Sequence, residues 1–336
     1  GNGVKGVAPD ADIYAYKVLG PYGSGAMSIV MSGIEKAVKD GMDVINLSLG
    51  GSSLSPLDPT SIAIDNAMMS GTVAIVAAGN SGDDQYTLGA PGTASLGITV
   101  GASDYSVTAS KAEGALVNGS ESMELTSMRL LGKDFGSLDG LLGSEAAITY
   151  VGIGRDADYE GKDVEGKVVL ISRGTNGVNE KIYIAKQHGA KAALIFNNNP
   201  EEGHIPYYFG EEVKFIPGFS LTYEDGQAIL ESLKEDSTFS FNHFEEVQSD
   251  GDHLASFSSR GPTRITHDIK PEIVAPGVGV YSSVPSYMQG SEYIGNYDVA
   301  YKRASGTSMA APHVAGAAAV LLQENPDLKP EDVKTA

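Results

Sequence analysis

The sequence predicts an α/β fold with a parallel sheet flanked by helices, interrupted by a β-rich inserted domain. Three observations carry this. Over the first hundred residues, short apolar runs alternate with helical segments, the pattern of βαβ units. Those runs lack polar alternation, as strands buried on both faces do. The middle of the chain changes character, with 24 Asp and Glu against 12 Lys and Arg between Ser106 and Asp250, before the earlier style resumes at Leu254.

The elements follow in order. Ala11 to Val18 reads as a strand through Asp12-Ile13-Tyr14-Ala15-Tyr16. Met27 to Lys39 places Ile29, Val30, Ile34, Ala37 and Val38 at helical spacing. Asp43 to Leu47 is a short apolar strand, Ser61 to Met69 a helix, and Thr72 to Ala78 a fully apolar strand. Ile98 to Gly101 closes the first section. The middle section has strands at Lys167–Ser172, Lys191–Phe196 and Phe219–Leu221, with helices at Asn179–His188 and Tyr223–Leu233. That is enough apolar material for a small domain. In the last section Pro271–Val274 leads into Ala275-Pro276-Gly277, and Val278–Ser283 reads as a strand. Thr307–Glu324 is the most helical stretch and stops before Pro326.

Composition narrows the function. A formal charge of −20 repels nucleic acid and anionic membrane surfaces, and otherwise serves solubility. The absence of cysteine removes disulfides, thiolate metal sites and cysteine nucleophiles. No apolar run of eighteen residues offers a membrane span. Gly1-Asn2-Gly3 has neither a Met start nor a charged leader, so the natural start is expected upstream.

The chemistry concentrates in Gly306-Thr307-Ser308-Met309-Ala310-Ala311-Pro312-His313-Val314-Ala315-Gly316. A serine at the mouth of a small-residue helix sits beside unpaired N–H groups and the positive end of the helix dipole. Taken alone, Thr307 or Ser308 would be read as a helix cap. Ala77-Ala78-Gly79-Asn80-Ser81-Gly82 follows an apolar strand, and Asn80 alone would be read as a turn residue.

Together these strings resemble the nucleophile and oxyanion-hole segments of the subtilisin family. Asp43-Val44-Ile45-Asn46-Leu47-Ser48-Leu49-Gly50-Gly51, Gly23-Ser24-Gly25, Ser256-Phe257-Ser258-Ser259-Arg260-Gly261-Pro262, Ala275-Pro276-Gly277 and Gly6-Val7-Ala8-Pro9 match in the family's order. The resemblance spans 1–105 and 252–336, a peptidase domain expected to be incomplete at both ends. It implies a serine endopeptidase with Ser308 as nucleophile and Asn80 as oxyanion donor. Ser48, Leu49 and Gly50 would face Gly23, Ser24 and Gly25 across an extended peptide held as an added strand. Ala77, Ala78 and Gly79 would line the first specificity pocket with Ser48, Leu49 and Gly50, small residues that suit a large apolar side chain. No cofactor is implied for catalysis, the partners are protein or peptide substrates, and the setting is extracellular or cell-wall associated, in a bacterium.

A serine hydroxyl needs a base oriented by a carboxylate. The resemblance puts that base in an HGTHVAG-type segment just ahead of Gly6, with the aspartate further upstream. His188, His204, His243, His253, His267 and His313 lack those surroundings. His313, five residues after Ser308, is placed by helical spacing on another side. The chain is therefore expected to be inactive alone. Its uncovered apolar surface is expected to drive self-association or to receive a complementing N-terminal fragment.

The inserted segment 106–251 resembles a protease-associated (PA) domain, carried by Glu165-Gly166-Lys167-Val168-Val169-Leu170-Ile171-Ser172-Arg173-Gly174 and Ala185-Lys186-Gln187-His188-Gly189-Ala190-Lys191-Ala192. Such a module governs substrate access or is a passive spacer. Asp83, Asp84 and Asp298 offer oxygen ligands of the kind calcium takes; a solvated acidic loop is the plainer reading, so structural calcium is unsupported. Asn118-Gly119-Ser120 has the form of a glycosylation acceptor but reads as an ordinary loop. The competing function is a pseudoprotease, a non-catalytic scaffold that binds protein through the PA-like domain.

Overall fold

The computed structural model describes residues 4–20, 23–106, 108–201, 203–205, 209–248 and 251–336; Gly1, Asn2 and Gly3 lie outside them. The chain divides into two compact units. One comprises Val4–Tyr105, Gly251–Val280 and Ala304–Ala336, and the other Ser106–Asp250 with Tyr281–Arg303. Residues 281–303, expected with the outer segments, group instead with the middle one.

The first unit is built on helix α1 (Met27–Lys39), strand β1 (Val44–Leu47), helix α2 (Pro59–Met69), strands β2 (Val73–Ala77), β3 (Ile98–Ser103) and β4 (Ile273–Pro276), and helices α3 (Thr307–Glu324) and α4 (Pro330–Thr335). The strands form one all-parallel sheet in the order β1-β2-β3-β4. Every residue of β2 is buried, which is why its sequence shows no alternation. Val30, Ile34 and Ala37 of α1, Ile64 and Ala67 of α2 and Ala310, Ala311 and Ala318 of α3 share one core with the sheet. Asp58 starts α2 by accepting the N–H of Thr60 at 2.9 Å, with Pro59 in the first turn, where its missing N–H is harmless.

The strand expected over 11–18 is not formed. A strand exists by virtue of a neighbour's hydrogen bonds, and no partner pairs with this segment among the described residues. Ile13 is 91% exposed and Tyr14 64%. The other apolar runs of this unit become the strands named above, shifted by a residue or two.

A charge network around one buried lysine ties α4 to the sheet. The Lys270 ammonium, inaccessible to solvent, meets Glu272 Oε1 at 2.6 Å and the carbonyl of Gly97 at 2.9 Å. Lys334 of α4 donates to the carbonyls of Ser95, Leu96 and Gly97 and reaches Glu272 at 2.8 Å.

The second unit is an eight-stranded sheet in the order 218–221, 192–196, 168–172, 145–150, 238–248, 108–118, 121–133 and 210–211. An added antiparallel pairing of 218–221 with 121–133 closes seven of them into a ring. Asn118 is held from both sides, donating to the Ser232 carbonyl at 2.9 Å and accepting from Ser237 Oγ at 2.5 Å. A glycan would be attached at Nδ2, the atom already engaged with the Ser232 carbonyl.

Helix Val178–Gln187 of this unit carries a lysine with no solvent exposure, Lys181. Its ammonium donates to the Ile153 carbonyl and Asn176 Oδ1. Burial pushes its pKa down to about 8, against the pull of Asp158 and Glu180. The sign follows from linkage. Between about pH 8 and the ordinary lysine value the unfolded chain keeps a proton that the folded chain has lost, so stability rises with pH in that window. Above it the trend turns over, because buried Tyr159 holds its phenol proton past the usual tyrosine range. Thermal unfolding should therefore show a rise between pH 8 and pH 10, to which this one group adds at most about 1.4 kcal/mol per pH unit; the rise should be smaller in Lys181→Met, what remains belonging to Lys270, whose pKa burial also lowers. Equal pH slopes in the two proteins would refute the assignment.

Candidate active site

The 306–316 segment folds as the sequence leads one to expect, into the start of α3, with Gly306 as its N-cap residue and no acidic residue in the first turn. Gly306 has φ +155° and its N–H bonds the Gly277 carbonyl at 2.8 Å, so Ala275-Pro276-Gly277 at the end of β4 anchors the helix mouth. Thr307 is completely buried and Ser308 half-buried.

Asn80 leaves the end of β2 through Gly79, whose φ of +108° is a conformation that disfavours side chains. A Cβ there would also stand 2.9 Å from Ser259 Oγ. Ser259 backs this loop from the 256–262 segment: its N–H bonds the Gly79 carbonyl at 3.0 Å and its Oγ accepts the Ser81 N–H at 3.0 Å.

The two segments meet at Thr307. Asn80 Oδ1 accepts the Thr307 N–H at 2.9 Å and the Thr307 hydroxyl at 3.1 Å, while that hydroxyl accepts the Gly79 N–H at 3.1 Å. A backbone N–H can face only the oxygen of an amide, so the orientation of Asn80 is chemically fixed and Nδ2 is turned away from Thr307. A Cβ built on Gly306 would lie 3.4 Å from Asn80 Nδ2 and 3.7 Å from Ser308 N. Two N–H donors therefore border one point, left open because residue 306 has no side chain. The Ser308 N–H, second in the helix, has no intrahelical acceptor, and the positive end of the dipole adds to the pull on an anion there.

Ser308 Oγ donates to the Ser48 carbonyl at 3.3 Å, and Ser48 Oγ donates to the Ser308 carbonyl at 2.7 Å. Among the described residues no histidine is hydrogen-bonded to Ser308. His313 Nδ1 lies 2.9 Å from the Met309 carbonyl one turn back, and His253 Nδ1 lies 3.6 Å from Asp104.

A model of the subtilase family matches residues 1–336. The chain belongs to the subtilase family. The minor extracellular protease Vpr of Bacillus subtilis (strain 168) is 39% identical over 340 residues, which cover 99% of this chain and 39% of Vpr. Subtilisin-like protease SBT1.4 of Arabidopsis thaliana is 31% identical over 350 residues, covering 98% of this chain and 42% of that protein. The PII-type proteinase of Lacticaseibacillus paracasei is 29% identical over 352 residues, with 95% of this chain and 18% of the proteinase covered. This subtilase chain thus spans about two-fifths of the length of the Bacillus and Arabidopsis proteases.

The remaining predicted site residues of the subtilase chain are placed as follows. Ser48, Leu49 and Gly50 continue from β1, with Ser48 and Gly50 exposed. Ala77 and Ala78 are buried in the sheet, and the Ala78 N–H and C=O are taken by Val100 O and Gly89 N; Gly79 is the first of the three to reach partial exposure. Gly23, Ser24 and Gly25 are exposed in a turn closed by the Gly20 N–H on the Ser24 carbonyl at 2.8 Å. Among the described residues, no group of three or more His, Asp or Glu is arranged to hold a metal ion, and no helix is long and apolar enough to cross a membrane. Thr307 stands in the sequence only as a possible helix cap and Ser259 only as part of a matching string, so their hold on the Asn80 loop is a finding of the structure. Their signal is positional: Thr307 follows Gly306 directly, and Ser259 stands two residues before Gly261, where a Cβ would meet the Lys270 carbonyl oxygen at 2.7 Å.

Proposed function

We propose that this chain supplies the nucleophile and oxyanion site of a serine endopeptidase that acts outside the cell and uses no organic cofactor. Ser308 Oγ attacks the scissile carbonyl carbon while its proton passes to a histidine supplied from outside these 336 residues. The carbonyl oxygen becomes an oxyanion between Asn80 Nδ2 and the Ser308 N–H. The C–N bond then breaks, the amine leaves with the proton, and water hydrolyses the Ser308 ester. An extended substrate lies as an added strand between 48–50 and 23–25, with a large apolar side chain preferred beside Gly79. The ring-closed second unit is read as a PA-like module that limits which substrates reach the site.

The observation that carries this reading is the open point at Gly306 bordered by two N–H donors. Its test is acyl trapping. A protein containing this chain together with a base should be labelled by a fluorophosphonate on the peptide holding Ser308 and should hydrolyse casein. Ser308→Ala should do neither, and label arriving at another serine would overturn the assignment.

A further inference from the structure

Pro312 is the sixth residue of α3, well inside the helix. It has no N–H, so the usual bond from residue 312 back to the carbonyl of residue 308 cannot form, and the proline ring crowds that same carbonyl. A carbonyl deprived of its helical donor needs another partner. Here the partner is the hydroxyl of Ser48, at 2.7 Å, from a strand end 260 residues away in sequence. The bond is half of a reciprocal pair, since Ser308 Oγ donates to the Ser48 carbonyl at 3.3 Å. Ser48 thus grips both the backbone and the side chain of Ser308, one through its hydroxyl and the other through its main chain.

We propose that the Ser48 hydroxyl is a positioning group that replaces the hydrogen bond Pro312 removes and so fixes the first turn of α3 around Ser308. The proposal rests on the reading of Ser308 as nucleophile. The orientation of residue 308 sets where its Oγ and its N–H point, and both must meet one carbonyl group. A displacement of about 1 Å at such a site costs up to about a hundredfold in rate. Ser48→Ala keeps the main-chain carbonyl that receives Ser308 Oγ and removes the hydroxyl's two bonds, the one to the Ser308 carbonyl and the one it accepts from Asn46 Nδ2 at 3.1 Å.

The test is a double-mutant cycle with two readouts, kcat and KM in a protein that also supplies the base, and amide exchange by NMR in this chain. Ser48→Ala should lower kcat by about 10- to 100-fold, with KM within about twofold. The first-turn amides of Ala310 and Ala311 should exchange about tenfold faster, as expected for one lost hydrogen bond. Ser48→Thr, which keeps the hydroxyl, should restore the first-turn exchange of the parent. Pro312→Ala restores the helical N–H, so in that background Ser48→Ala should change kcat and exchange by less than about threefold. Equal losses with proline or alanine at 312, or unchanged exchange in Ser48→Ala, would overturn the proposal. So would faster exchange at undiminished kcat. If the unsubstituted protein hydrolysed no peptide at all, the nucleophile reading would fall and the catalytic half of this proposal with it. The exchange readout would still judge whether the hydroxyl replaces the missing bond.

Discussion

The 336-residue chain by itself should react with a fluorophosphonate about 10⁶ times more slowly than the same chain in a protein that brings a histidine within reach of Ser308. That magnitude is carried over from subtilisin, a member of the same family, in which losing the base alone is about as damaging as losing the whole triad. The geometry gives the reason. The Ser308 hydroxyl donates to a backbone carbonyl, which orients the proton but cannot take it. His313, the nearest imidazole in sequence, has Nδ1 at 2.9 Å from the Met309 carbonyl of its own helix. The two N–H donors beside Gly306 are in place, so on the proposed function the isolated chain would lack only an acceptor for one proton. Second-order labelling rates, with the modified peptide identified by mass, measure this directly. Light scattering on the same sample shows whether the isolated chain is monomeric or associates through exposed apolar residues such as Ile13, Ile269 and Ile273. Fast stoichiometric labelling of Ser308 in the isolated chain would refute the prediction.

What was legible in the sequence was local. Helices 27–39 and 307–324 were read residue for residue because their apolar and small residues, and for the second the Pro326 just beyond its end, are local signals. The strands of the parallel sheet were read because burial on both faces leaves an unbroken apolar run. Pairing is not local. The segment 11–18 has the composition of a strand, yet no neighbour bonds it. The strands 108–118 and 121–133 mix charged and buried residues and read as a merely acidic stretch, although they pair antiparallel with each other and 108–118 pairs with 238–248 on its other side. Lys181 looks like an ordinary helix-surface lysine, because the Ile153 carbonyl it meets is 28 residues away. The site divides the same way. Ser308 and Asn80 stand inside recognisable strings, whereas the contacts that aim them, Thr307 with Asn80 and Ser48 with Ser308, join residues 227 and 260 positions apart. One of these had a signal that accounting for hydrogen bonds would have found: a proline inside a helix leaves the carbonyl four residues earlier in need of a donor.

On the proposed function Asn80 has two roles on two atoms, and substitutions can part them. Asn80→Asp keeps an oxygen for the Thr307 N–H and hydroxyl, so the tie between the 80 loop and α3 survives. A carboxylate near a helix N-terminus is also favoured by the dipole, so stability should hold or rise slightly. The Nδ2 donor, however, is gone, and a negative charge stands where the oxyanion would form. The loss in kcat should reach at least about 10²–10³-fold, the range known for removal of this amide in subtilisin, with KM nearly unchanged because the donor acts on charge that develops only in the transition state. Asn80→Leu removes both atoms. Its kcat should fall as far, and the protein should in addition lose about 1–2 kcal/mol, since the Thr307 N–H and hydroxyl are left without their acceptor. Steady-state kinetics in a protein that supplies the base, paired with thermal unfolding of both variants, separates the two effects. If Asn80→Asp kept activity within tenfold of the parent, Nδ2 would have no part in stabilising the transition state, and the open point beside Gly306 would be a feature of helix packing alone.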